Sequence, residues 1–353
     1  MNKSFDFDQE ISVYLNNETF LDNVTSSIFI NGIFMFLTFP LGIIGFILNI
    51  LSFIILLKIQ IKKTHLYGYL KVYTILSSFN GLISGLLFTS ASPRFYPYML
   101  SYFSRLIRSI LAIYVLTSIY FITNILDILI AFERLSIFIR KFHIINKINP
   151  YLVSIIIIIF SFVFDLPIFF SYYIKSEQEI LYDLKTNFSS YAYIGRTSFF
   201  YSRLNFYLII IQILIRDFAT LLIEIILSCL GIYYHQNYLQ KSIQFSQNQT
   251  NSQSKNPAVL SKVKKGKKIL KMTIIMSIVS IISHLVVSVS YGFAINGYSK
   301  ASNISQCFGY LGISIKYFTN FFIFFYFNLN FRSSFLSIFN CSFLSRNHSV
   351  SNT

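Results

Sequence analysis

Apolar residues come in seven long runs, about residues 29–57, 66–89, 106–135, 151–173, 205–234, 268–294 and 308–327, with polar segments between them. About 20 apolar residues cross the hydrocarbon of a bilayer as a helix, and each run reaches or exceeds that length. The pattern predicts an all-α membrane protein, a seven-transmembrane helix bundle over 29–327. Residues 1–28 are polar and acidic and are expected as an extracellular tail. The inner segment 235–267 includes the low-complexity stretch 246–254, which has nothing to bury and is expected to be disordered. Beyond the seventh run, Phe331, Phe335, Leu336, Ile338 and Phe339 alternate with Arg332, Ser333, Ser334 and Ser337. That alternation predicts a short amphipathic eighth helix in the membrane interface over 328–341, followed by a cytoplasmic tail, 342–353.

Charge then orients the bundle. The segment after the first run carries Lys58, Lys62 and Lys63, and that after the third carries Arg140, Lys141 and Lys147, with no acid in either. Between the fifth and sixth runs lie Lys241, Lys255, Lys262, Lys264, Lys265, Lys267 and Lys268. The alternate segments hold Asp6, Asp8, Glu10, Glu18, Asp22, Glu177, Glu179 and Asp183. Basic loops stay cytoplasmic, so the N-terminus is expected outside and the C-terminus inside, in the plasma membrane. The formal net charge of +16 would suggest nucleic acid in a soluble protein. Here the bases line the inner surface, where they meet anionic membrane lipid and acidic protein partners, and no nucleic-acid partner is expected. The basic run Lys262–Lys271 leads into the sixth span at helical spacing. It reads either as a cytoplasmic stop signal or as an inner extension of that helix that docks an acidic protein.

Residues 1–27 lack a basic segment leading into a short apolar core, so the first span is expected to serve as its own uncleaved insertion signal. Sequons at Asn17, Asn23, Asn187 and Asn303 all fall on expected outer segments, although Asn248-Gln249-Thr250 falls on an inner one. Asn17, Asn23 and Asn187 lie farther from the membrane and are the expected glycosylation sites. Cys229, Cys307 and Cys341 do not share an outer face, so no extracellular disulfide is expected. Cys341 closes the amphipathic stretch, where a juxtamembrane thiol is either palmitoylated or free.

Charged groups inside spans are costly and by default functional. This chain has Asp127 and Glu133-Arg134 on the third span, Asp165 on the fourth, Arg216, Asp217 and Glu224 on the fifth, and Lys316 on the seventh. An unpaired ammonium at Lys316 would be expensive, and Asp127 is the partner to name; the alternative is a wet cavity or a neutral amine. Adjacent Arg216 and Asp217 are expected to point to different faces, each toward its own partner. His284, on the sixth span, has no second His or Cys at ligand spacing, which favours a hydrogen-bonded helix contact over a metal site.

The seventh run ends Asn320-Phe321-Phe322-Ile323-Phe324 and continues through Asn328 to Phe331-Arg332-Ser333-Ser334-Phe335. This resembles the rhodopsin-like G-protein-coupled receptor ending, NPxxY followed by N-x-x-F-R-x-x-F, with Phe321 for the proline and Phe324 for the tyrosine. Glu133-Arg134-Leu135 is similar to the family's D/E-R-Y triplet, Asn49 to its first-helix Asn, and Leu76-Ser77-Ser78-Phe79-Asn80 to its second-helix L-A-x-x-D. The departures are the absence of any tryptophan, of a proline in the sixth span, and of a cysteine at the outer part of the third. They point to a divergent member, of invertebrate peptide or chemosensory type.

The resemblance implies an extracellular ligand and a heterotrimeric G-protein partner. It implies a coupling surface of Glu133, Arg134, Lys264, Lys265, Lys268, Asn320, Phe324 and Arg332, with Arg134 paired to Glu133 at rest. It also implies an intramembrane switch of Asn49, Asn80, Asp127, Lys316 and Asn320. Where the family binds sodium beside a second-helix Asp, this chain has Asn80, and the Lys316 ammonium is expected in place of the ion. Amine receptors carry an Asp eighteen residues before the triplet Arg, here Leu116, and opsins carry their retinal lysine at the position of Ser314. Neither an amine nor a light receptor is therefore expected. A mouth with Arg94, Arg105, Arg108, Arg196 and Arg203 suits a short peptide or a small chemical. No nucleophile–base pair, metal cluster or phosphate loop has usable spacing, so neither an enzyme nor a bound cofactor is expected. The runner-up is a seven-span transporter or ligand-gated channel subunit, which the intramembrane charges would also suit. The lack of inverted repeats and of Gly/Pro-broken spans stands against it.

Overall fold

In the computed structural model the described residues are 18–59, 65–89, 106, 109–136, 148–176, 179, 194–248, 271–272, 274–289 and 299–348. Among them α1 is Glu18–Lys58 and α2 is His65–Thr89. A π-helical turn, Ser109–Val115, continues as the α-helix Leu116–Ser136, and the two form α3. Pro150–Phe164 and, across Asp165, Leu166–Phe170 form α4. The fifth helix, α5, runs as Arg203–Ile213, a π-helical stretch Leu214–Ala219, and Thr220–Asn248. Helix α6 is Ile274–Val289, α7 is Ser299–Phe327 and α8 is Leu329–His348. Strands β1 (Tyr172–Ile174) and β2 (Ile194–Arg196) pair antiparallel between α4 and α5. Beside them Glu179 accepts from the Ser176 N–H at 2.8 Å and the Tyr173 hydroxyl at 2.9 Å, which holds its carboxyl below the usual range.

Local chemistry starts several of these helices. Asn149 caps α4 by accepting from the Tyr151 N–H at 3.0 Å, with Pro150 at the first helical position, where no amide is needed. Ser202 caps α5 through the Asn205 N–H at 3.1 Å, and Asn328 caps α8 through the Phe331 N–H at 3.2 Å.

The helices are inside out by the standards of a soluble bundle. On α4, Leu152, Ile155, Ile156, Ile159 and Val163 face outward while Ser154 and Ser161 are buried. On α6, Ile275, Ile278, Ile282 and Leu285 face outward while Ser280, Ser283 and His284 are buried. Lipid solvates such an apolar exterior, and polar residues are held between helices. Leu37–Lys58, Leu116–Ser136 and Pro150–Phe170 are long and apolar enough to cross a membrane; Ile274–Val289 and Leu311–Phe327 are apolar but shorter. Polar groups on α2 (Thr74, Ser77, Ser78, Asn80) and α5 (Gln212, Arg216, Asp217, Glu224) are buried against neighbouring helices. The molecule is a multi-pass membrane protein.

Helix α1 packs on α2 and α7, while α3 touches α2, α4 and α5. Two glycines set the approach of α2. A Cβ at Gly81 would lie 3.2 Å from the Gly42 carbonyl oxygen of α1, and one at Gly68 would lie 2.5 Å from Cγ of Pro150 on α4.

Several helices outrun the hydropathic spans. Helix α1 begins at Glu18, inside the stretch 1–28 read as an extracellular tail, and α7 begins at Ser299 rather than near 308. Helix α5 continues through the polar segment 235–248, which contains neither Gly nor Pro, and α8 runs beyond 341 to His348. Hydropathy marks where lipid ends, whereas a helix continues until a breaker or an unfavourable cap stops it.

A charge chain across four helices as the candidate functional site

Four ionisable side chains, one from each of α3, α5, α6 and α7, meet in the bundle interior. The Lys316 ammonium lies 2.6 Å from Asp127 Oδ2 and 3.2 Å from His284 Nε2. The other ring nitrogen, His284 Nδ1, lies 3.2 Å from Glu224 Oε2. His284, Lys316 and Glu224 are buried, and the Asp127 side chain is only 10% exposed. The two contacts to carboxylates are ion contacts by distance rather than aligned hydrogen bonds. Tyr120 of α3 packs edge-on against the His284 ring, with centroids 5.7 Å apart. The Asp127–Lys316 pairing expected from charge is thus present, and His284 extends it to Glu224.

Next to this chain lies a layer of hydroxyls and amides. Asn80 of α2 donates to the Tyr317 hydroxyl at 2.8 Å, and that hydroxyl meets Thr123 Oγ1 of α3 at 3.0 Å. Asn49 of α1 donates to the Tyr317 carbonyl at 3.1 Å, and Asn320 donates to the Tyr73 hydroxyl of α2 at 3.1 Å. The Lys316 ammonium itself contacts Asp127 and His284, while the Asn80 amide is met by the Tyr317 hydroxyl. Neighbours on a helix project about 100° apart, so Tyr317 faces α2 while Lys316 faces α3 and α6.

Toward the C-terminal end of α3, Arg134 donates to Met276 Sδ of α6 at 3.1 Å. The guanidinium therefore turns to α6, and the pairing with Glu133 drawn from the family is replaced by a cross-helix contact to a thioether. Glu133 is itself buried. Phe324 packs against Phe331 in a tilted contact and Phe321 edge-on against Phe335, so the residues standing for the family's Tyr and Pro pin α8 to α7 through ring contacts. Arg332 lies on the first turn of α8, with its N–H on the Asn328 carbonyl at 3.0 Å. Lys264, Lys265 and Lys268, and the sequons at Asn17 and Asn187, lie outside the described residues; Asn23 lies on α1 and Cys341 on α8, with side chains outside them.

A second buried charge cluster joins α4 to α5. Arg216 reaches Asp217 at 3.1 Å and Asp165 at 3.8 Å. Adjacent Arg216 and Asp217 were expected to seek separate partners; instead they pair. The long Arg side chain folds back inside the π-helical stretch Leu214–Ala219, where a wider turn replaces regular α-helical spacing. Asp165 sits at the break in α4 imposed by Pro167, and the Phe164 carbonyl there accepts from Gln212 Nε2 of α5 at 2.7 Å.

Sequence reading found every charged member of both clusters, because charge inside an apolar run is conspicuous. It missed Tyr317, Tyr73, Thr123 and Met276, which are ordinary residues for a membrane span. The available signal was Asn80: a buried amide on α2 has to be met by a polar group from a neighbouring helix.

No model of a protein family matches the chain, and no curated protein matches its sequence. Among solved structures it is similar to the crystal structure of squid rhodopsin, with a TM-score of 0.62 and 14% sequence identity. That alignment covers 90% of this chain and 86% of the squid protein. The likeness shows the fold, a rhodopsin-like seven-helix bundle.

Proposed function

We propose that this chain is a divergent rhodopsin-like G-protein-coupled receptor of invertebrate peptide or chemosensory type. In this reading it lies in the plasma membrane with its N-terminus extracellular and its C-terminus cytoplasmic. It binds a short peptide or small chemical from outside and activates a heterotrimeric G protein. The observation that carries the reading is the arrangement of Arg134 within the rhodopsin-like fold: a buried guanidinium near the end of α3 that donates to Met276 of α6.

A thioether is a weak acceptor, so that contact holds α6 loosely. Ligand binding in the outer half would rearrange the charge chain and separate α6 from α3, which frees Arg134 for the G protein. Glu133, Asn320, Phe324 and Arg332 frame the same inner mouth, and Lys264, Lys265 and Lys268 supply positive charge for an acidic partner. Asn49, Asn80, Asp127, Lys316 and Asn320 form the intramembrane switch. The outer sequons Asn17, Asn23 and Asn187 carry glycans and Cys341 carries a palmitoyl group. The helix Leu329–His348 lies along the inner interface, with Phe331 and Phe335 turned to α7.

The test is G-protein activation in transfected cells exposed to tissue extract of the source organism, with Arg134→Ala as control. The expected result is a response that the variant loses while reaching the cell surface in equal amount. Protease treatment of the extract separates peptide from small-molecule agonists. A response that survives in Arg134→Ala sinks the coupling assignment. Extract-evoked membrane current without G-protein activation would move the chain to the channel or transporter class.

A further inference from the structure

The charges in the four-helix chain do not balance, and the geometry says which way. An ammonium has three donors and no acceptor. His284 Nε2, 3.2 Å from Lys316 Nζ, must therefore present its lone pair. The ring proton then sits on Nδ1, on the side of Glu224, whose Oε2 lies 3.2 Å away without alignment for a hydrogen bond. A doubly protonated ring would set an N–H against the ammonium. With His284 neutral, the cluster holds the Lys316 cation against two carboxylates, Asp127 and Glu224. Among the described residues, the other groups acting on it include the uncharged hydroxyls of Tyr73 on α2, Ser280 on α6 and Tyr317 on α7, and Arg134 on α3. Arg134 lies about 10 Å farther along α3 by helical rise and is turned to Met276. One negative charge is left uncompensated in a low-dielectric interior, where it is costly.

We propose that the missing partner is a proton, and that His284 with Glu224 is a proton-binding site whose filling separates α5–α6 from α3–α7. Breaking the Lys316–His284 contact frees the Nε2 lone pair. A proton from solvent forms the Nε2–H bond, and no other bond is made or broken. The four-helix chain then resolves into two ion pairs, imidazolium with Glu224 between α6 and α5, and Lys316 with Asp127 between α7 and α3. Each pair is neutral and each lies within one half of the bundle. Acid therefore favours the separated state. The signalling consequence rests on the receptor reading above; the proton site itself does not.

The experiment uses the full chain in lipid nanodiscs, with Cys229, Cys307 and Cys341 replaced by serine. Spin labels are placed through Tyr151→Cys at the start of α4 and Lys271→Cys just before α6, both exposed positions. Inter-label distances are read at about pH 8 and about pH 5.5, bracketing imidazole titration. The expected result is a longer-distance population that grows on acidification, with the open-to-closed ratio changing by up to about tenfold per pH unit, as one proton requires. His284→Gln is expected to be flat. Glu224→Gln is also expected to be flat and to raise the melting temperature near neutral pH, because it removes the uncompensated carboxylate and leaves Lys316–Asp127 self-neutral. If His284→Gln does not fold, Glu224→Gln carries the test. A wild type without pH response, or a response retained in the variants, overturns the proposal. Nucleotide exchange on a G protein is measured on the same samples. Pairing a distance shift with no exchange would defeat the G-protein reading and leave the proton site standing. Exchange without any pH-dependent distance shift would do the reverse.

Discussion

Lys316 is held by two groups of unequal strength, a carboxylate at 2.6 Å and an imidazole lone pair at 3.2 Å. Lys316→Met removes the cation and leaves Asp127 and Glu224 buried without compensation, which is expected to cost about 3–5 kcal/mol. Adding Asp127→Asn should return most of that loss, since the orphaned charge disappears with its partner. Thermal unfolding of the four proteins of this cycle in one detergent measures the coupling, and additive losses would deny the pair. Tyr317→Phe asks a smaller question. It strips the hydroxyl that meets Asn80 and Thr123 and should cost about 1–3 kcal/mol with no change in packing volume. The two residues differ in how readable they were. A lysine in an apolar run announces that it needs a carboxylate, and Asp127 was the one to name. A tyrosine announces nothing, because its ring suits lipid or core equally and only the neighbouring helix decides where its hydroxyl ends. The same holds for Arg134, whose burial was foreseeable while its contact with Met276 depends on how α6 is rotated.

At the scale of elements, the ends and breaks of helices depend on a few side chains that satisfy backbone groups. Asn328 closes the gap between α7 and α8 by accepting from the Phe331 N–H, and its amide reaches the Tyr67 hydroxyl at 3.4 Å. Asn328→Ala should cost about 1 kcal/mol, the usual value of a lost N-cap. The expected signature is faster amide hydrogen exchange over 331–338 with α7 unaffected; uniform exchange across both helices would show that the cap does not act locally. Across the bundle, Gln212→Leu keeps nearly the same volume but withdraws the donor from the Phe164 carbonyl at the α4 break. A buried carbonyl left alone should cost about 1–3 kcal/mol, read as a lower melting temperature. The α4 break escapes the sequence reading, in which the run 151–173 is one unbroken span and the lack of Pro-broken spans counts against a transporter. Leu166-Pro167 nevertheless carries the signal, as Asn149-Pro150 does for the start of α4. The π-helical stretch escapes it too: Arg216 and Asp217 stand out as charges, but charge alone does not tell a wider turn from regular helix.

For the whole molecule, the arrangement of charge and apolar surface has to answer to a bilayer. Every described helix from α2 to α7 buries hydroxyl, amide or charged groups, and apolar side chains cover the outside. Such a surface would aggregate in water and is at ease in lipid. A bundle of this kind could insert either way up, and its loops decide. By the alternation of spans in the sequence, Lys58, Lys62 and Lys63, the bases at 140–147 and the lysines at 255–268 are expected on one side, and the acids of the N-terminal segment and of 177–183 on the other. On the proposed reading the bases stay in the cytoplasm and the N-terminus lies outside. The sequons then make a sharp test, because glycosylation occurs only on the lumenal side. Replacing Asn17, Asn23 and Asn187 together with Gln should remove most or all of the endoglycosidase-sensitive mass. Replacing Asn248, at the inner end of α5, should leave that mass unchanged even though Asn248-Gln249-Thr250 is an intact sequon. An N-terminal epitope should be stained on intact cells and a C-terminal one only after permeabilisation. If Asn248→Gln reduced the mass, or the C-terminal epitope stained on intact cells, the basic loops would lie outside. The inner mouth assigned to Arg134 would then face away from any G protein.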